Sequence, residues 1–261
     1  QGKDQRLVIN AFRGVGKSWI SSVFVCHQLL LDPQKNILVV SASKNRADDF
    51  STFTLRLINE IDVLAHLRPL ESQRQSKVSF DVRPARASHA PSVKSLGITS
   101  QLTGSRSDLV IADDVETSQN SATMGMRDKL STQVKEFESI IKPLGRIIFL
   151  GTPQTEMSLY NELPKRGYKL QTWPARYPVI KQLRNMSKTI SPAISKSWHI
   201  DKVGFPTDPL RFDFEDLRER EMSYGKSGFN LQFMLDTSLT DEDKYPLKLS
   251  DLVVMTTNPT K

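Results

Sequence analysis

The stretch that most constrains this chain is Leu7 to Trp19, which reads LVINAFRGVGKSW. An apolar run ends in a glycine-containing turn, and Gly16-Lys17-Ser18 then opens a segment of helical pattern. Strand, tight loop and helix N-terminus in that order are what a phosphate-binding loop requires, because the loop N–H groups and the positive helix end both favour an anion. In such a loop the lysine reaches the β- and γ-phosphates and the serine hydroxyl sits on magnesium. The usual spacing is G-x-x-x-x-G-K-[ST], with Ala11 here in the first glycine's place. A small residue is tolerated there while its φ stays negative. Ala11, Phe12, Arg13, Gly14, Val15, Gly16, Lys17 and Ser18 are therefore the expected nucleotide-binding residues, with ATP and Mg2+ as cofactors.

From this loop onward the chain alternates strand and helix patterns. Residues 7–12 read as a buried strand, and 17–31 as a helix stopped by Asp32-Pro33. A strand over 36–42 precedes a helix over 44–60, with Phe50, Phe53, Leu57 and Ile61 at helical spacing. Residues 77–82 and 93–98 alternate like strands, and 109–113 is a buried strand ending in acids. A helix over 124–141, a strand over 146–150 and a further strand over 168–173 complete the series. Repeated units of this size predict an α/β fold with a mainly parallel, twisted sheet flanked by helices. After about residue 178 the pattern loosens, punctuated by Pro174, Pro178, Pro192, Pro206 and Pro209, and the clear helix there covers 213–235. The expected division is a core over 1–178, a small lid or linker subdomain over 179–240 and a linker over 241–261.

Two strand ends carry the remaining chemistry. Asp113 ends an apolar strand about a hundred residues after the glycine loop, where phosphate-loop hydrolases hold magnesium; Ser18 and Asp113 are the expected metal ligands. A carboxylate just beyond can deprotonate the attacking water. Asp114 has the expected position and Glu116 the expected residue type, so either can be the base, with a preference for Glu116. The spacing also places an extra strand between the two motifs, as in motor-type ATPases. Thr152, in Gly151-Thr152-Pro153, follows another strand, where ligand crevices form in open parallel sheets. Its hydroxyl either senses the γ-phosphate or belongs to a plain tight turn.

Charge and composition narrow the partners. An apolar fraction of 38% and a charged fraction of 25% are those of a soluble globular chain. No apolar run approaches a membrane span, and the single cysteine, Cys26, excludes an internal disulfide and suits a reducing cytoplasm. It falls on the apolar face of the helix after the loop and reads as a packing residue. The net charge of +7 is uneven: residues 142–202 hold eleven Lys and Arg against three acids, and 203–261 hold seven against eleven. The basic block fits a polyanion partner, most often nucleic acid, through Lys165, Arg166 and Lys169 among others, or a solvated basic face. The sequence Leu102 to Asp108 sets Arg106 among glycine and serines. Arg106 either reaches a neighbouring subunit's active site or pairs locally, for instance with Asp108.

In combination these motifs resemble the large terminase subunit of tailed bacteriophages, the genome-packaging motor, and most nearly the short-tailed, podovirus-like type. The residues that carry the resemblance are Ala11 to Ser18, Leu109 to Glu116 and Leu150 to Met157, with Leu231 to Asp236 and Lys244 to Leu247 in support. The resemblance implies a RecA-like P-loop ATPase that cycles ATP to translocate double-stranded DNA into a procapsid from the host cytoplasm. It also implies the portal and a small terminase subunit as partners, a homo-oligomeric ring, and no membrane. By that likeness Arg13 is the loop arginine beside the phosphates, Gly151-Thr152-Pro153 couples hydrolysis to movement, and Arg106 is a candidate trans-acting arginine. The family's C-terminal nuclease domain is expected beyond this sequence, so no nuclease activity is expected within it. A helicase-type translocase and a docking module with a vestigial nucleotide pocket are the competing readings.

Overall fold

The computed structural model describes residues 5–102, 104–155 and 157–237. Strand β1 (Arg6–Ala11) leads through the glycine loop into helix α1 (Lys17–Leu31), followed by β2 (Ile37–Ser41) and α2 (Lys44–Glu60). The short β3 (Ser79–Phe80) and then β4 (Val93–Gly97) and β5 (Ser107–Asp113) come next. Beyond them lie α3 (Ser118–Ser121), α4 (Met124–Lys135), α5 (Phe137–Ile140), β6 (Ile141–Gly151), α6 (Leu159–Glu162) and β7 (Lys169–Trp173). The remainder holds α7 (Ile180–Asn185), α8 (Pro192–Ser197) and α9 (Phe214–Phe229), with a π-turn over Asn230–Met234.

The seven strands form one sheet in the order β3-β4-β2-β5-β6-β1-β7, parallel except for β3. β6 lies between β1 and β5, so a strand does separate the glycine loop from the acidic strand end, as the spacing predicted. Registers level the carboxyl ends: Asn10 sits opposite Gly151, and Asp113 opposite both Ser41 and Leu150. That shared end is where ligand crevices form in such sheets.

Each face of the sheet buries a core. On one side Val25, Leu29, Phe50 and Ile58 of α1 and α2 pack on Ile37, Val39 and Ile111. On the other Leu130, Val134, Phe137 and Tyr160 pack on Val110, Ile147 and Phe149. Cys26 is buried in the first core as expected, and burial raises its thiol to about 11, which keeps it inert. A third core lies beyond the sheet: Phe12 of the glycine loop packs with Ala175, Phe212, Leu217, Phe229 and Phe233.

Several expectations need correction. The strand expected over 77–82 contracts to two residues, because beyond Phe80 the chain bonds instead to Arg74, Ser92 and Leu67. The helix expected over 124–141 breaks at Glu136, and the chain enters β6 at Ile141, five residues early. The helix expected over 213–235 kinks at Gly225 (φ 68°, ψ 165°) and ends in the π-turn. The stretch after 178 also holds α7 and α8. The linker 241–261, with Lys244 to Leu247, lies outside the described residues, as do Thr103 and Glu156.

Candidate nucleotide site

The loop Phe12–Gly16 turns from β1 into α1 through two left-handed glycines, Gly14 (φ 91°) and Gly16 (φ 86°). Ala11 ends β1 in ordinary extended backbone, so the missing glycine costs nothing there. No side chain caps α1, which leaves the first N–H groups of the helix for a ligand.

Lys17 folds back into this loop. Its Nζ donates to Thr152 Oγ1 at 2.9 Å and to the carbonyls of Ala11 and Phe12 at 3.2 and 3.4 Å. Thr152 Oγ1 donates in turn to the Ala11 carbonyl at 2.9 Å. Burial lowers the lysine's pKa, and the charges of Asp114 and Asp113 work against that shift. The Thr152 hydroxyl therefore sits on the lysine of the glycine loop.

Ser18 Oγ donates to Asp113 Oδ2 at 2.7 Å, while Asp113 Oδ1 is buried with no partner among the described residues. Burial raises this carboxyl to about 6, against the Ser18 hydrogen bond. An orphaned carboxylate oxygen beside a serine hydroxyl at a helix N-terminus fits magnesium, which takes one or two protein oxygens and completes its shell from phosphates and water. No cluster of three His, Cys, Asp or Glu occurs among the described residues, as that mode of binding requires none.

Both candidate bases line the cleft over Lys17, but their partners differ. Asp114 adopts φ 45° and lines both the 390 Å³ crevice beside Ser18 and the adjoining 200 Å³ cleft over Lys17. Glu116 is buried, with Oε2 accepting from Leu159 N at 2.6 Å and Ser158 Oγ at 3.0 Å, and Oε1 from Gln154 N at 3.4 Å. It joins the end of β5 to the turn after β6. Tyr160 lies beneath it, its ring against Gly151 and its hydroxyl accepting from Glu116 N at 3.4 Å.

Arg13 lines the cleft and is tied to Gln232: its N–H donates to the Gln232 carbonyl at 3.0 Å, and Nη1 to Oε1 at 3.5 Å. Gln232 Nε2 reaches on to the Pro153 carbonyl at 3.2 Å, so one buried side chain bridges the loop and the turn after β6. Arg106 is not brought to this site. It stands before β5 at the opposite end of the sheet, with Nη1 donating to Ser139 O at 2.7 Å. The local pairing expected with Asp108 is taken by Lys142 instead, at 2.8 Å.

Sequence reasoning missed Arg46, Ser158 and Gln232 as site residues. Arg46 lines both openings from the first turn of α2, a segment the sequence marked only as a helix. The others reach the site only through tertiary packing, and no local pattern announces them.

Glycine loop, acidic strand end and intervening strand together define a RecA-like α/β domain with a nucleotide-type crevice at the carboxyl edge of its sheet. No protein-family model matches the chain. It is 52% identical over 260 residues to the large terminase subunit of Enterobacteria phage T3, covering 97% of this chain and 44% of that relative. Among solved structures, the large terminase ATPase domain of Thermus phage P74-26 shares the fold, with a TM-score of 0.52 at 16% identity over 91% of this chain and 90% of that one. A point mutant of the same domain gives 0.50 at 16% identity, with 90% of each chain covered. The chain is thus similar over nearly its whole length to a bacteriophage large terminase subunit, and it spans under half the length of that relative.

Proposed function

We propose that this chain is the ATP-hydrolysing part of a viral packaging motor, acting on ATP with magnesium to move double-stranded DNA into a procapsid. The observation that carries the reading is the grouping of Ser18 and Asp113 in one opening and Lys17 and Thr152 in the adjoining one, with Asp114 lining both. The relationship to a large terminase subunit supplies the biological context.

Lys17 leaves the Ala11 and Phe12 carbonyls to take the β- and γ-phosphates, and Thr152 is poised to register that move. Ser18 and Asp113 would hold the magnesium ion, which when bound spreads the charge of the phosphates. Asp114 is the better placed base: its carboxylate has no hydrogen-bond or ion-pair partner among the described residues and borders both openings. It takes a proton from the water that adds to the γ-phosphorus as ADP leaves. Glu116, held by three donors from the turn after β6, ties hydrolysis to that turn. Arg13 follows the phosphates and passes their state through Gln232 to the stretch after 178, the proposed lid. The vestigial-pocket reading fits poorly with the relaxed backbone of Ala11 and with the intact Ser18–Asp113 contact.

DNA, the portal, a small subunit and a ring of copies, met in the host cytoplasm at the procapsid, belong to the same proposal. Among the described residues no helix is long and apolar enough to cross a membrane. The test is magnesium-dependent ATP turnover of the wild-type chain against Lys17→Ala. Turnover should vanish in the variant while its thermal unfolding stays cooperative, and equal turnover in the two would overturn the reading.

A further inference from the structure

The turn Asp208–Phe212 is pinned, with Arg211 N and Phe212 N both donating to the Asp208 carbonyl at 3.3 and 2.9 Å. Phe212 is buried edge-on to Phe12, ring centroids 5.3 Å apart, and the Arg220 guanidinium stands 5.0 Å over its ring. Phe212 touches the loop so closely that a Cβ at Gly14 would lie 3.0 Å from its Cζ. The neighbouring Arg211 side chain is therefore anchored at its base and exposed at its tip. That tip rests on the loop: a Cβ at Gly16 would lie 2.8 Å from Nη1 and 3.2 Å from Cζ. Apart from its 6.0 Å approach to Phe212, the guanidinium has no hydrogen-bond or ion-pair partner among the described residues.

An arginine with no acid to neutralise it, laid against the glycine that opens the anion-binding helix, is placed for a phosphate. We propose that Arg211 is a nucleotide-binding residue that closes on the phosphate chain from outside the loop, at the end away from the γ-phosphate. This rests on the ATPase reading above. The γ end is marked by Asp113, Asp114 and Thr152, whose side chains border the crevice and the cleft, and Arg211 lines neither opening. Gly16, which it covers, directly precedes the free N–H groups of α1. A guanidinium presents a planar fork of donors that fits two phosphate oxygens at once. Held at the α- and β-phosphates, it contributes equally to ADP and ATP, because both carry them.

The test is equilibrium binding of ADP and of ATP, each with magnesium, to the 261-residue chain by competition with a fluorescent ADP. Arg211→Ala should weaken both nucleotides alike, by about tenfold to a hundredfold, the scale of one charge-assisted contact. Arg211→Lys should recover part of the affinity, and Arg211→Gln should bind as poorly as Arg211→Ala. Wild-type affinity in Arg211→Ala, a loss confined to ATP, or recovery by Arg211→Gln would each overturn the proposal. Those results leave the ATPase reading standing, whereas a wild-type chain that binds neither nucleotide sinks both.

Discussion

Asp114 and Glu116 lie two residues apart at the end of β5, yet Glu116 accepts three hydrogen bonds while the Asp114 carboxylate has no hydrogen-bond partner among the described residues. Asp114→Asn should keep nucleotide affinity and slow single-turnover hydrolysis by about 10²–10⁴-fold, the usual range for a lost general base. Glu116→Gln should instead unsettle the turn over 154–159, because an amide has one acceptor oxygen where three donors converge. A loss of about 1–3 kcal/mol in urea unfolding is expected, with a smaller effect on hydrolysis. The reverse ranking would return the base to Glu116. The sequence announced both acids, since an apolar strand ending in carboxylates is a local pattern. It could not say which carboxylate was already held by donors, because that depends on Gln154, Ser158 and Leu159 folding back from the next strand.

At the scale of elements, periodicity located most strands and helices, and it failed where a single backbone conformation decided the outcome. The apolar spacing runs through Gly225, but its φ of 68° and ψ of 165° belong to a region open to glycine almost alone. Gly225→Ala should therefore cost about 1–3 kcal/mol in urea unfolding. Gly125, helical in α4 with open space where a Cβ would go, should gain a few tenths to about 1 kcal/mol as alanine. Equal effects at the two glycines would contradict the kink. The break at Glu136 has a different origin: α5 presents Glu138 to Arg6 of β1 at 2.6 Å and to the Tyr168 hydroxyl at 2.9 Å, just before β7. The Arg6 hydrogen bond holds the Glu138 carboxyl below its ordinary value. Its contribution is present above the unfolded-state pKa and is lost as pH falls through the lower folded value. Glu138→Gln should thus lower the melting temperature slightly near neutrality and not at all at strongly acid pH, since a half-exposed pair contributes at most about 1 kcal/mol. A difference that persists undiminished in acid would assign the effect to packing.

For the whole molecule, the arrangement of charge sets the expectations about assembly and DNA. The basic block is partly engaged within the chain: Lys165 pairs with Glu162 at 2.8 Å, Arg176 with Glu221 at 2.6 Å, and Lys142 with Asp108. Reversing Lys165, Arg166 and Lys169 together should still weaken salt-sensitive, sequence-independent duplex binding and leave nucleotide affinity unchanged, because contacts to phosphates need only net positive charge. Unchanged DNA binding would give that face to another partner. Arg106 stands at the far edge of the sheet from its own crevice, bonded to Ser139, so the proposed role in catalysis would have to be at a neighbour's site. Mixing Arg106→Ala with Asp114→Asn chains should restore turnover that neither has alone, and a mixture as inactive as its parts would exclude the exchange. The broad architecture was legible because strand and helix alternate along the chain; the contacts between its start and its last described helix were not, because they join residues some two hundred positions apart. Phe12 is one of them, a loop residue whose side chain lies in the core built by Phe212, Phe229 and Phe233. The glycine loop is thus keyed into the packing of the last described helix like a tenon in its mortise, so the two should melt together, and a rearrangement of the one should reach the other as displacement rather than be dissipated as slack.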